Sequence, residues 1–568
     1  MQKNTIFNSH LIILSIVIIF HLLNNIYFLN VDNEPLVWDN YNYHTIYVNN
    51  YNSFKSGNVY SLVNHFITPK NINIVLTPVY FLYPLFGTSQ DVTAFQGTFF
   101  LLILIISTYL LGKELYNDDV GLLAAIFVSF SPFILATSKV PFEDINFSAM
   151  LILTIYFFIK SNNFSEIKYT LLFNFSLLIT LLSKNTSIFV LFFIFIIYFL
   201  LKLIFERYTF RNFFFNFDKR QTIIFFVSFS ISIFLFLLFF LNRNPLHFKE
   251  GLIHISPFSV SMYNIHFLNN LVYTKSLFIN NFILNSEYFF IFIIFLISFS
   301  LLLFKEKENG KKIIIFSLLL GGNICNFIVL YFNKYSFDHI QRYSLFLKPI
   351  YFLIISLFFM VYLYNFLSFR LSFNFFFKKI YFIVLPVFFL IFFAYFNLNY
   401  NYDSHNYKYQ LSHLFGKMHP LRSEYKLPLV LNNIASSVNP LNIFLFGFSD
   451  GKFADSFSTF IVFNNSHINL TRFILGPYEN TIIDYNNFLN YSVYIEVVNF
   501  NLSMLDSYDY VFIIKQTSPA NPFFSNFSYM TDFFNASSDF ILYDEISINE
   551  YECNSSILIY KNRIKNEI

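Results

Sequence analysis

The sequence predicts a polytopic α-helical membrane protein that carries an α/β domain in its C-terminal region. Of the 568 residues, 56% are hydrophobic and only 12% are charged. A soluble core cannot absorb that much apolar surface, and the apolar residues are gathered into long runs. The formal net charge of +3 is too small to predict a nucleic-acid partner. The two cysteines, Cys325 and Cys553, predict neither a disulfide framework nor a zinc cluster.

The apolar runs predict about eleven membrane spans, because a helix needs roughly 20 apolar residues to cross a bilayer. Each run is expected to be helical, since every backbone polar group in lipid needs a partner within the protein. No small-residue cleavage site follows the first run, which we expect to remain as an uncleaved span. The predicted spans cover about residues 9–29, 95–112, 120–138, 145–160, 168–183, 186–205, 221–242, 286–304, 312–332, 344–366 and 379–397.

Lysine and arginine are concentrated in alternate loops, which predicts the orientation of the chain. Lys113 and Lys160 lie in two such loops, and by the positive-inside rule these loops and the N-terminus are cytoplasmic. An odd number of spans then places the C-terminal region outside. We expect a multi-pass protein of the plasma (inner) membrane, because the low cysteine count and short loops favour a prokaryotic membrane.

Two segments on the predicted outer side are not simple connections. The first outer loop, about residues 30–94, contains an amphipathic stretch from Tyr41 to Phe54 and a proline-broken apolar stretch from Lys70 to Gly87. Both are expected to form helices at the membrane interface. We therefore divide the chain into a membrane domain, 1–397, and an extracytoplasmic domain, 398–568. Strand-like runs alternate with helix-compatible stretches in the second domain and predict its α/β class, at 442–447, 510–514 and 556–560.

Asp39 is the first candidate for a catalytic residue. It follows the first span directly, in a chain with few charged residues. A carboxylate at the edge of a bilayer can act as a general base toward a hydroxyl or amine group. The alternative is an acid exposed in a loop, without a catalytic role.

Further charged residues are predicted on the same side of the membrane. Glu143 and Asp144 are adjacent acids that could bind a divalent cation, position an acceptor, or favour the start of a helix through its dipole. Cationic residues on this side suit a phosphate group, although each alone also fits an interfacial anchor. They are Lys70, Lys139, Lys184 and Arg342.

Taken in order, these motifs resemble the GT-C fold glycosyltransferases that use a polyprenyl-phosphate sugar. Such enzymes include the dolichyl-phosphate-mannose protein mannosyltransferases and the bacterial aminoarabinose transferases of lipid A. The resemblance covers about residues 9–366. It is carried by Trp38-Asp39, by Lys70 to Gly87, by Leu111 to Tyr116 with Gly121 to Pro132, by Glu143-Asp144, by Ser183-Lys184 and by Arg342-Tyr343.

The resemblance implies a hexosyl- or pentosyltransferase that moves a sugar from a polyprenyl-phosphate donor to an acceptor on the outer face. Asp39 is then the catalytic base and Glu143 or Asp144 the second acid, and a single displacement inverts the anomeric centre. The implied ligands of the donor phosphate are three cations, Lys70, Lys184 and Arg342. The acceptor is a glycan, a lipid or a protein.

Two histidines on the predicted outer side, His44 and His339, raise the possibility of a metal site with Glu143. Their spacing is not that of a tight ligand set, so we favour ordinary interfacial histidines and leave metal dependence open. The rival functions are a polytopic transporter, a glycan polymerase or ligase, and a non-catalytic scaffold whose C-terminal region binds a partner. A transporter would place ionisable residues within its spans, and a ligase would concentrate its key residues in a late loop.

Overall fold

A computed structural model gives the arrangement of the chain. It describes residues 2–31, 39–57, 78–141, 143–162, 164–184, 187–205, 226–234, 309–333, 345–357, 360, 441–448, 468–475, 480–484, 493–496, 508–517, 539–550 and 553–563. The predicted spans at 286–304 and 379–397 lie outside these residues. So do Lys70, His339 and Arg342 and the helix-compatible stretches of the C-terminal region, which leaves its α/β class a prediction.

Helices fill the described part of the membrane domain. Residues 226–234 are also helical, and a short 3-10 helix, Leu345–Leu347, precedes the last helix. The labelled helices are α1 (Gln2–Val31), α2 (Asp39–Lys55), α3 (Val79–Phe86), α4 (Gln90–Leu115), α5 (Asp118–Ser129), α6 (Pro132–Thr137), α7 (Glu143–Lys160), α8 (Ile167–Ser183), α9 (Ser187–Phe205), α10 (Asn309–Asn333) and α11 (Lys348–Leu357).

Three of the described helices are long and apolar enough to cross a membrane, at His10–Tyr27, Gln90–Leu115 and Ser187–Ile204. Two helices of the bundle begin at side-chain caps. The side chain of Ser89 accepts from the backbone N–H of Val92 at the start of α4, and Asn117 does the same for Val120 at the start of α5. These caps set where the two helices begin.

The span expected over 120–138 is instead two helices. Helix α5 ends at Ser129, and α6 begins at Pro132. Proline has no N–H for a helical hydrogen bond and clashes with the preceding turn, but it is well tolerated as the first residue of a new helix. The break therefore follows from Pro132.

Most of the described helices share an apolar core, and they approach closely at glycines. Buried side chains of α4, α5, α7, α8, α9, α10 and α11 form this core. A Cβ atom on Gly121 would lie 2.4 Å from the backbone oxygen of Tyr109, so α4 and α5 touch through their backbones. A Cβ on Gly97 would lie 2.5 Å from the backbone oxygen of Ser138. That contact fixes the segment before α7 against the first turns of α4.

The bundle has two polar ends. At one end, called the Glu143 end, the start of α7 lies near the start of α4 and the second half of α1, where the Asn25 amide donates to the hydroxyls of Thr98 at 2.9 Å and Ser138 at 3.1 Å. At the other, called the Lys160 end, the end of α7 meets the end of α4 through Lys160 and Glu114. Lys113 lies at this second end.

The described C-terminal residues form one seven-stranded sheet in the order β4-β3-β2-β1-β5-β7-β6. Strands β2, β1 and β5 are parallel, and the flanking strands are antiparallel. The buried residues include Ile443, Val511, Phe512 and Ile559. The strands expected at 442–447, 510–514 and 556–560 are confirmed. The strands are β1 (Leu441–Phe448), β2 (Ile468–Leu475), β3 (Asn480–Asp484), β4 (Val493–Glu496), β5 (Tyr510–Thr517), β6 (Phe540–Glu550) and β7 (Cys553–Asn562).

Candidate functional site at the Glu143 end

Asp39 is the first residue of α2, the helix predicted over Tyr41 to Phe54. An acid in the first turn is favoured by the partial positive charge of the helix N-terminus. Residues 39, 43 and 47 are four apart, so they share one face of the helix. Asp39 therefore stands two turns before Tyr47 along that face.

Helix α2 packs on α3 and on the first turns of α4 through buried polar and aromatic side chains. The imidazole Nδ1 of His44 lies 2.7 Å from the hydroxyl of Thr93 in α4. The amide of Asn50 donates to the hydroxyl of Tyr80 in α3 at 3.1 Å. Burial lowers the pKa of His44 to about 3, so this imidazole is neutral at physiological pH.

Tyr47 belongs to the helix that begins at Asp39, and Glu143 at the start of α7 influences it electrostatically. Its ring is buried, and burial together with the charge of Glu143 holds the pKa of its hydroxyl well above the usual value, although the Gln96 side chain opposes that shift. The hydroxyl therefore stays protonated.

Asp144 and Lys184 form a buried ion pair, although they were predicted in separate roles. Asp144 lies in the first turn of α7, and Lys184 follows the last residue of α8. Their charged atoms are in direct contact, and both side chains are almost completely buried. A buried charge is costly unless it is paired, so each of these groups requires the other. Glu143, by contrast, is partly exposed.

The structure thus places Glu143, Asp144 and Lys184 at one end of the bundle. It gives the backbone of Asp39 within α2, whereas Lys70 and Arg342 lie outside the described residues. Among the described residues no group of three or more metal-ligating side chains occurs. His44 contacts Thr93, and the roles predicted for the site residues remain predictions.

Several buried polar residues at this end were not singled out from the sequence. They include Thr93, Tyr83 and Tyr47, as well as His21, which is fully buried near Lys139. The sequence does contain a signal for such residues, namely a polar residue within an apolar run. An ionisable side chain within a membrane span is costly, so its presence indicates a structural or functional role. The sequence does not show which of them meet.

Comparison with known families agrees with the predicted resemblance. Residues 79–234 match the family described as dolichyl-phosphate-mannose-protein mannosyltransferase (PMT_2). The match covers α3 to α9, including Glu143, Asp144 and Lys184, and it confirms the resemblance over these residues. No curated protein matches the chain in sequence.

Among solved structures, the chain is similar to ArnT from Cupriavidus metallidurans bound to undecaprenyl phosphate, with 10% identity, a TM-score of 0.49 and 97% of each chain covered. It is also similar to the oligosaccharyltransferase AglB from Archaeoglobus fulgidus in complex with an inhibitory peptide and a dolichol-phosphate. There the identity is 14% and the TM-score 0.41, over 79% of this chain and 63% of that one. The chain thus spans less than two thirds of the length of AglB.

Proposed function

We propose that this protein is an integral membrane glycosyltransferase that moves a sugar from a polyprenyl-phosphate donor to an acceptor at the outer face of the membrane. The match of residues 79–234 to the dolichyl-phosphate-mannose-protein mannosyltransferases carries this proposal. The matched residues include the acids and the buried ion pair of the Glu143 end. The reaction suits this end of the bundle because Glu143 and the buried Asp144–Lys184 pair are gathered there.

In this proposal Asp39 is the general base. It takes the proton from an acceptor hydroxyl or amine as that atom attacks the anomeric carbon, and the lipid phosphate leaves from the opposite side. A single displacement of this kind inverts the anomeric centre. Cations near the departing phosphate offset the charge that develops on it.

Glu143 is the better candidate for the second acid, because its neighbour Asp144 is committed to Lys184. The partly exposed Glu143 carboxylate can hold the acceptor or a divalent cation. Asp144 can act only together with Lys184, and a donor phosphate that reaches Lys184 must share its ammonium group with Asp144. The other proposed phosphate ligands are Lys70 and Arg342, which are proposed from the sequence motifs alone.

The proposed partners are a polyprenyl-phosphate-linked hexose or pentose, membrane lipid, and an acceptor that is a glycan, a lipid or a protein. The proposed location is the plasma (inner) membrane, with the Glu143 end facing the extracytoplasmic side. Lys113 and Lys160 at the opposite end suit a cytoplasmic location under the positive-inside rule.

The test is transfer from a radiolabelled polyprenyl-phosphate sugar to cell-envelope acceptors, in membranes that contain the wild type or Asp39→Asn. General-base catalysis contributes about 10²–10⁴-fold, so we expect a loss of that size in the variant. Glu143→Gln is expected to reduce transfer as well. Full activity of Asp39→Asn would exclude Asp39 as the base.

Glu166→Gln is the matched control. Glu166 also stands next to the start of a helix, before α8 at the Lys160 end, and its side chain caps no backbone group. It is expected to keep wild-type transfer. If the wild type transfers none of several sugars while it is correctly inserted, the glycosyltransferase proposal fails.

A further inference from the structure

A hydrogen-bonded network joins α2, α3 and α4 around the hydroxyl of Thr93. This hydroxyl lies 2.7 Å from Nδ1 of His44, 2.8 Å from the hydroxyl of Tyr83, and 3.2 Å from the backbone oxygen of Ser89. The three side chains of the network come from three different helices. They are His44 in α2, Tyr83 in α3 and Thr93 in α4.

The donors and acceptors of this network can be assigned from valence. The Ser89 carbonyl only accepts, so Thr93 donates its single proton there. Thr93 must then accept from both Tyr83 and His44. His44 therefore carries its proton on Nδ1, and Nε2 is the acceptor nitrogen of the neutral ring. One hydroxyl thus uses its full hydrogen-bonding capacity to join three helices.

The network matters because it joins α2 to both of the helices on which it packs. The side chains of His44, Thr93 and Tyr83 are buried. Among the described residues, the main apolar core of the bundle includes no side chain of α2. Tyr47 and Val48 instead form a separate cluster with residues of α3, against which further side chains of α2 pack. The network adds hydrogen bonds to this packing and ties α2 to the first turns of α4.

The network also lies close to the start of α2. His44 is five residues after Asp39, which is about 7.5 Å along a helix axis. A tilt of roughly 10° about His44 would move position 39 by about 1.3 Å, by the same helix geometry. A misplacement of about 1 Å at a reacting group can lower a rate roughly 10²-fold.

We propose that His44, Thr93 and Tyr83 are positioning residues that hold the start of α2, and with it Asp39, in place for sugar transfer. The inference rests on the proposed function, since it assigns the network to the same reaction. The three residues act without touching either substrate. They affect transfer by fixing the orientation of α2 and therefore the position of Asp39.

The test uses Thr93→Val, which keeps the shape of the side chain and removes the hydroxyl, against Thr93→Ser, which keeps the hydroxyl. Thr93→Val is expected to lower kcat for transfer at least 10-fold with an unchanged KM for the donor, and Thr93→Ser to restore most of it. Tyr51→Phe is the matched control on α2, because the Tyr51 ring packs on Tyr83 without belonging to the network. It is expected to leave kcat unchanged.

A second measurement reads the position of α2 without any activity. Spin labels on Asp39→Cys and Glu166→Cys, with Cys325 and Cys553 replaced by Ser, report the distance from the start of α2 to the Lys160 end. The distribution is expected to be narrow with Thr93 or Ser at position 93, and to broaden or shift with Thr93→Val.

An unchanged distance distribution in Thr93→Val would overturn the proposal, whatever happens to transfer. So would a broadened distribution with unchanged kcat, because the position of α2 would then not matter for the reaction. A wild type without transfer would instead overturn the proposed function. The distance measurement would still show whether the network holds α2.

Discussion

The two ends of the helix bundle are both polar, but they bury their charges to different degrees. At the Lys160 end, Lys160 and Glu114 form an ion pair at 2.7 Å with side chains 34% and 30% exposed. At the Glu143 end, Lys184 and Asp144 are paired with side chains only 6% and 0% exposed. Exposed pairs cost little to form and stabilise little, whereas buried ones carry a large desolvation penalty.

This difference makes the Glu143 end the better candidate for a functional site. A fold needs charged residues where its helices leave the bilayer, and the Lys160 end supplies these in a solvated form. Burying charges at the Glu143 end costs desolvation free energy, and the ion pair and hydrogen bonds there fix the directions of side chains and helices. Buried charges of this kind are typical of sites where a reaction needs fixed geometry.

The largest effect is expected from leaving one buried charge without its partner. Asp144→Ala removes the carboxylate that contacts the buried Lys184 ammonium, so we expect the free energy of unfolding to fall by about 3–5 kcal/mol. Unfolding of the purified protein in detergent would measure this. The double variant Asp144→Leu with Lys184→Met removes both charges and should recover most of the loss. A double variant as unstable as the single one would contradict the ion-pair explanation.

The contact between Gly97 and Ser138 should be the next most sensitive feature of the Glu143 end. In Gly97→Ala the new methyl group meets backbone atoms that cannot turn away, so we expect a loss of about 1–3 kcal/mol. Gly322→Ala is the control, because its new methyl group meets the flexible side chain of Leu347. Equal losses in the same unfolding experiment would show that backbone contact is not the cause.

The buried His44 should make stability depend on pH. The pKa of His44 is about 3 in the folded protein and about 6.5 in the unfolded chain, so only the unfolded chain gains this proton between these values. Its contribution is therefore complete above pH 6.5 and is lost as the pH falls toward 3. Between pH 7 and pH 5 we expect the wild type to lose about 2 kcal/mol more than His44→Asn. Parallel pH profiles for the two proteins would be evidence against a buried neutral imidazole.

The smallest effect is expected at the Lys160 end. Glu114→Gln removes one charge from an exposed pair, and such pairs contribute about 0–1 kcal/mol. The same unfolding measurement should show a change near the limit of detection, which shrinks further in high salt. A loss as large as that of Asp144→Ala would remove the contrast between the two ends.

The local elements were largely predictable from the sequence. The apolar runs predicted α1, α4, α7, α8, α9 and α10 close to the helices observed, because a long apolar run in a membrane protein favours a helix. The amphipathic stretch before α3 correctly predicted α2, and short strand-like runs predicted strands β1, β5 and β7. The division of 120–138 at Pro132 was missed, although proline itself was the signal.

The candidate acids were also visible as isolated charges in an apolar sequence. The sequence placed Asp39, Glu143 and Lys184 beside the ends of predicted helices, because few other positions near the bilayer carry charge. It could not assign partners to them. The sequence predicts separate roles for Asp144 and Lys184, whereas the fold places each in contact with the other.

The sequence by itself determined the class of the protein, most of the described helices, three of the described strands, and the charged residues that are candidates for chemistry. These properties depend on composition and on neighbours within a few turns. Only the tertiary structure decided that Lys184 meets Asp144, 40 residues away, and that His44 meets Thr93, 49 residues away. The physical reason is that pairing and burial depend on how helices pack across long stretches of chain, and a charge or hydrogen-bonding group takes its role from the partner that packing brings to it.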